Sequence, residues 1–231
     1  HRELAIGAFT EQGLPHRKPE DWRYTSLASM EKHAWAIAEP AALDEAEILA
    51  VRSHLETLAM PEGDVTRVVF VDGRLCGALS SLADDNEGVA IHSLAAASQG
   101  GEGAALLAEA YGQLADPKQD AFSALNTAFV QDGALIEIGA NSEVSNPIHL
   151  IFVTRTTGRL HCPRVLAIAR RHARATVIQD HVSMGDGPRL SNAVTELVVE
   201  AGARLDWLTV LREQGECTDI TNLQTRQERD S

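Results

Sequence analysis

Three features of the 231-residue chain predict a mainly β protein with an α/β N-terminal region, in which a β-solenoid follows a small helical/α+β domain. From Ala134 onward, apolar residues recur with a period of two instead of the helical period. No long helical stretch separates the resulting strands, so parallel pairing has to be made through corners and not through βαβ crossovers. Finally, ARRHARATVI at 169–178 lies over VEAGARLDWL at 199–208, each reading strand, short corner, Ala-Arg, strand. Such repetition suggests successive coils, because one coil cannot bury its apolar face alone. A β-sandwich stays open as the alternative. A left-handed hexapeptide helix is disfavoured, since no six-residue aliphatic period runs through the region. The expected division is 1–120 for the N-terminal region and 121–231 for the solenoid core.

In chain order, 2–12 reads as an amphipathic helix with Leu4, Ala8 and Phe9 on one side and Gly13 at its end. Pro15 and Pro19 exclude regular helix from the arm that follows. Trp22 and Tyr24 are either packed locally or anchor that arm against a neighbouring surface. After Pro40 a helix is clear, with Ile48, Val51, Leu55 and Leu58 on one stripe and Asp44, Glu45 and Glu47 at its positive end. Strand 65–71 leads into a hairpin at Asp72-Gly73, and 88–94 reads as another strand. Helices are expected over 104–114 and 120–130. Strands follow at 135–138, 148–153, 165–169, 175–179, 193–199 and 205–211, with a further candidate at 220–224. The run 148–153 is apolar on both faces, which fits a strand covered on both sides.

Composition limits the functional classes. An apolar fraction of 44% and a mean hydropathy of -0.13 fit a soluble globular protein. A net charge of -13 argues against non-specific nucleic-acid binding, and there is no apolar run long enough for a membrane span. The basic run 164–174 reads as a solvated face. Three scattered cysteines without a CxxC pair suit a reducing cytoplasm. The chain opens on His1 already in helical register, so residues are expected before it.

No catalytic constellation emerges. Gly100-Gly101-Glu102-Gly103 precedes a helix but lacks the P-loop ending and the GxGxxG spacing, and reads as a flexible linker. His149, His161, Cys162, His172 and His181 gather in the solenoid, and a zinc or iron module centred on His161, Cys162 and His172 is one reading. Against it, the adjacent His161 and Cys162 point to opposite faces of a strand. His172 aligns with Gly202 at a corner, as a turn residue would. Cys76 and Cys217 have no basic neighbour to mark a low-pKa nucleophile. A β-helix polysaccharide lyase or hydrolase is a further alternative, although no acids recur at coil spacing.

The arm GLPHRKPEDWRYTSL resembles a motif of the SufB/SufD family of iron–sulfur cluster assembly proteins, its SufD-like branch above all. VVFVDGRL followed by GVAIHSL, DAFSALNTAFVQDGALIEI followed by NPIHLIFV, and LSNAVTELVVEAGARLDWLTVLRE resemble later segments in the family's order. The resemblance implies a right-handed parallel β-helix and a subunit with no enzymatic activity of its own. It further implies pairing with a SufB-like chain and a SufC-type ATPase, in a complex on which an iron–sulfur cluster is built transiently. It transfers no catalytic, cofactor or metal residue to this chain. By the same comparison, Ser231 falls inside the β-helix, before later coils and C-terminal helices. An uncapped last coil is then expected to self-associate end to end, or to be covered by residues 213–231.

Overall fold

The computed structural model describes residues 1–15, 22–38, 42–60, 63–81 and 88–231. The helices are α1 Arg2–Gln12, α2 Glu45–Glu56, α3 Leu94–Ser98, α4 Ala104–Ala110 and α5 Ala121–Phe129. The early strands are β1 Ala36–Ile37, β2 Thr66–Val71, β3 Arg74–Leu75 and β4 Val89–Ser93. They are followed by β5 Ala134–Ile138, β6 Ile148–Thr154, β7 Arg159–His161, β8 Arg164–Ala169 and β9 Arg174–Ser183. The last three are β10 Arg189–Val199, β11 Arg204–Arg212 and β12 Cys217–Gln227.

From β5 on, the chain alternates between two sheets and winds a parallel β-helix of about three turns. Sheet 1 stacks β5, β8, β10 and β12, and sheet 2 stacks β2, β6, β9 and β11, all in parallel. In sheet 1 Ala134 pairs with Val165, Val165 with Thr195, and Thr195 with Leu223. In sheet 2 Arg174 pairs with Arg204 and Ile178 with Leu208, the register that the repeat of 169–178 over 199–208 predicts. The hairpin strand β3 and the strand β4 add antiparallel to β2 and β5. Segment 1–120 therefore supplies strands to both sheets.

The corners show why the repeat has its form. His172 (φ +58°), Gly202 (φ +71°) and Asn141 (φ +61°) all take the left-handed conformation, at equivalent points of successive coils. His172 N–H donates to the Ala201 carbonyl, and Asn141 N–H to the Arg171 carbonyl, so each corner is hydrogen-bonded to the next. A Cβ on Gly202 would lie 2.3 Å from His172 Nδ1, so glycine here both permits the turn and makes room for the imidazole above it.

Alternation along each strand fills the lumen with Phe70, Ile136, Ile138, Leu150, Phe152, Val165, Val177 and Leu197, among others. The intervening residues face outward and are covered too. Helix α2 lays Val51 and Leu55 over Val69, Ile151, Val153 and Val182 of sheet 2. Helices α3 and α4 lay Leu94 and Leu106 over Leu135, Leu166, Ile168 and Val198 of sheet 1. Helix α5 covers Leu160 and Leu190 with Phe122 and Leu125. Two covered faces explain why β6, β8 and β10 are buried along their whole length.

Helix α2 begins at Asp44 with a capping box, Asp44 accepting from Glu47 N–H and Glu47 from Asp44 N–H. Helix α1 departs from its expected stripe: Leu4 is 69% exposed while the buried residue is Ala5. The small side chain lets α1 lie close on α5, tied by a bond from Arg2 to the Val130 carbonyl. Trp22 packs against Phe122 at 5.2 Å between ring centroids, whereas Tyr24 is exposed, so local packing holds for only one of the two aromatics. Pro19 and Pro40 lie outside the described residues. Gly101 and Gly103 form a tight turn between α3 and α4, where a Cβ on Gly101 would meet the Ala96 carbonyl at 2.9 Å. That compactness corrects the reading of a flexible linker. Among the described residues no helix is long and apolar enough to cross a membrane.

Residues 213–231 do not cover β11. Alternation continues, so 217–227 become β12, the next rung of sheet 1 on β10. Strand β11 stays the edge of sheet 2, with Leu208 and Leu211 at 49% and 56% exposure.

Candidate functional site

The histidines and cysteines singled out in the sequence are spread over distinct surfaces of the solenoid. His161 points into the lumen end of β7, and its Nε2–H donates to the Thr156 carbonyl at 3.2 Å. Cys162, one residue on, faces outward into the cluster of Phe122, Leu160 and Leu190. Burial pushes its thiol up to about 12, leaving an unreactive side chain at neutral pH. His172 sits at the far end of β8, in the left-handed corner. With about 3.3 Å of strand advance per residue, β8 holds His161 and His172 at opposite corners. These three residues do not converge, and a metal module centred on them is excluded by geometry.

His149 faces outward on β6 and is fully buried, with Nε2 at 3.3 Å from Asp180 Oδ2. Arg212 Nε donates to both Asp180 oxygens at 3.1 and 3.0 Å and ties the end of β11 to β9. This His–Asp–Arg set joins three successive coils of sheet 2. Cys76 packs at the edge of the cluster under α2.

Among the described residues, His181 is the sequence-selected histidine that meets two carboxylates at once. Strand β9 turns Ala175, Val177, Gln179 and His181 inward. The His181 ring stacks on Phe152 at 5.5 Å, and Phe152 on Phe70 at 5.0 Å. Gln179 Nε2 lies 2.9 Å from His181 Nε2, and Gln179 Oε1 accepts from Thr195 Oγ1 at 3.0 Å. Glu213, in the corner after β11, and Asp219, on β12, bring carboxylates beside this ring. Residue numbering hides that grouping: 181, 213 and 219 belong to different strands or corners, and only the coil register brings them together.

Burial sets the protonation of the lumen histidines. His161 is held below its ordinary range by desolvation, with Arg189 and Arg159 adding to the effect and the Thr156 carbonyl and Asp72 opposing it. The unfolded imidazole takes up its proton near pH ~6.5, the folded one only at lower pH. Stability is therefore complete above the unfolded value and falls as pH drops below it. The melting temperature is expected to fall between about pH 7.5 and 5.5 and to fall less steeply in His161→Gln. His181 shifts in the same direction for the same reason, so some slope remains in that variant. An identical slope with and without His161 would contradict this assignment.

A two-sheeted parallel β-helix, its lumen packed with side chains and its outer faces covered by helices, is the class of protein that the fold defines. The comparisons narrow it. Residues 1–150 match the SufBD protein N-terminal region, and residues 152–231 match the SUF system FeS cluster assembly, SufBD core domain. The chain belongs to the SufBD family. It is 28% identical to an iron–sulfur cluster assembly SufBD family protein of Synechocystis, over 95% of this chain and 48% of that relative. It thus spans about half the length of the curated relative that it matches.

Proposed function

We propose that the protein acts in iron–sulfur cluster assembly as a non-enzymatic, SufD-like scaffold subunit of a SufBCD-type complex. It pairs with a SufB-like chain and a SufC-type ATPase in the cytoplasm, and keeps no iron–sulfur cluster of its own; the cluster is cargo of the whole complex. The observation that carries this reading is the match, in order and along the chain, to both regions of the family.

The physical character of the molecule fits a framework. Its lumen is closely packed, mostly with apolar side chains, and helices of its own lie over the outer faces of both sheets. Within residues 1–231, β11 and β12 are the last rungs of the two sheets, and Leu208, Leu211 and Leu223 on them are exposed.

The test is to co-express the full-length gene product with a SufB-like chain and a SufC-type ATPase and purify through one tagged partner. A stoichiometric complex is expected. Failure to associate with either, or assembly only with copies of itself, would overturn the reading.

A further inference from the structure

The corner between β11 and β12 holds a set of side chains that the framework does not explain. One donor atom each from His181, Glu213 and Asp219 lies within 4.8 Å of the other two. His181 is 1% exposed and fixed by its stack on Phe152 and its contact with Gln179. The carboxylates are half-buried, and the Glu213 Oε1 and Asp219 Oδ2 atoms are out of solvent without a hydrogen-bond partner. Cys217 stands beside them, its Sγ against Glu213 Oε2.

Without a cation this arrangement is electrostatically poor. Desolvation and the charge of Asp219 push the Glu213 carboxyl up, although its bond from Cys217 opposes them. Desolvation, and then Glu213, push the Cys217 thiol up as well. Arg189 is the cation that acts on both groups, but its own Nη atoms donate to the carbonyls of Gly185, Gly187, Arg155 and Met184. Two carboxylates with orphaned, buried oxygens, turned toward a neutral imidazole, suit a divalent metal. Bonds of about 2.0–2.2 Å to nitrogen and oxygen would need only small rotamer adjustments from the present separations. Gln179, held in turn by Thr195, fixes the imidazole at its Nε2; ligation through Nδ1 needs that amide reversed, so that Gln179 Oε1 accepts the Nε2–H and Thr195 Oγ1 accepts from the Gln179 amide.

We propose that His181, Glu213 and Asp219 bind one divalent first-row transition-metal ion at this corner, with Cys217 placed to give a fourth, thiolate ligand. Imidazole with carboxylate selects zinc, iron or cobalt over calcium and magnesium, and a thiolate strengthens that preference. The ion would pin β9 and β12 to the corner after β11, at the point where the chain changes sheets. The site is mononuclear and belongs to this chain alone, so it does not depend on the proposed role in cluster assembly.

Co2+ serves as the spectroscopic probe and Zn2+ as its competitor, on untagged full chain stripped with chelator. The expected result is one Co2+ per chain, visible d–d bands of tetrahedral intensity, and displacement by Zn2+. Cys217→Ser should remove the sulfur-to-cobalt band in the near ultraviolet while leaving Co2+ bound. Glu213→Gln and Asp219→Asn, both at half-exposed positions, should each weaken binding at least about tenfold. Circular dichroism of the apo variants keeps folding separate from binding, and His181 is left intact because its ring is part of the packed lumen. Absence of stoichiometric Co2+ or Zn2+ binding, or unchanged affinity in both carboxylate variants, would overturn the proposal. Binding that persists without its near-ultraviolet band in the wild type would remove Cys217 from the ligand set.

Discussion

Glu196→Ala is expected to destabilise the fold by about 3–5 kcal/mol, measured by urea denaturation near neutral pH. Glu196 lies on the outer face of β10, buried under the loop that follows α4. Its carboxylate accepts from the N–H groups of Gly112, Leu114 and Ala115 at 3.1, 2.8 and 3.0 Å. It also takes Nη2 of Arg164, one of the largest fully buried side chains of the protein. Arg164 Nη1 donates to Asn126 Oδ1 at 3.2 Å and Thr127 Oγ1 at 3.3 Å, and the guanidinium carbon lies 4.7 Å from the centre of the Tyr111 ring. Truncating Glu196 strands a buried cation and three backbone donors at once, and an uncompensated buried charge is the larger of those costs.

Arg164→Met should cost less, since it leaves a carboxylate that three amides still satisfy. Arg164→Met/Glu196→Leu should recover part of the Glu196→Ala loss by removing the lone charge, but not all of it, because the loop amides stay unpaired. A loss below about 1 kcal/mol for Glu196→Ala would mean that water reaches Arg164 and solvates it.

Neither residue announced this role in the sequence. Arg164 was legible only as the first of a basic run, read as a solvated face, and Glu196 as one acid within an apolar strand. Arg170 fits that reading better, with half-buried contacts to Glu109, Glu137 and Glu200 on the outer edge of sheet 1. Arg164 differs because α5 and the 112–115 loop pack over it, and the helix that buries it lies 35–43 residues earlier in the chain.

The solenoid itself was readable for a local reason. Its corners demand a residue that tolerates positive φ, followed by a small inward alanine, and that demand recurs at His172-Ala173 and Gly202-Ala203. The doubly apolar run at 148–153 likewise signals covering helices through its own composition. Strand β7 carries no such mark: three residues, Arg159–His161, pair only because β1 and β10 lie on either side of them. The cluster of His181, Glu213 and Asp219 is hidden for the same reason. Its members become neighbours through the register that lays Asp219 over Ser191 and Leu211 over His181, and a one-residue slip would turn each out of the lumen.

Phe152→Ala is expected to cost about 3–5 kcal/mol, a second loss large enough to approach the whole stability of a domain. The ring is 4% exposed and stacks within the lumen on Phe70, nearly parallel at 14°, and on His181 at 26°. Each member sits on a different rung of sheet 2, so the three rings form a column along the solenoid axis. Removing the middle ring opens a void whose walls are backbone-anchored on both sides by rung hydrogen bonds. The site can therefore collapse only a little, which puts the cost at the upper end of the range for such truncations. Phe152→Leu retains most of the volume and should lose less than half as much, the remainder reporting the aromatic contacts. Because each coil is stabilised by its neighbours, amide protection should fall in β2 and β9 as well as in β6. His181 would lose the surface that orients it, so the same variant should weaken Co2+ binding even though Phe152 offers no ligand atom. A stability loss without any change in metal affinity would separate the aromatic column from the corner beside it.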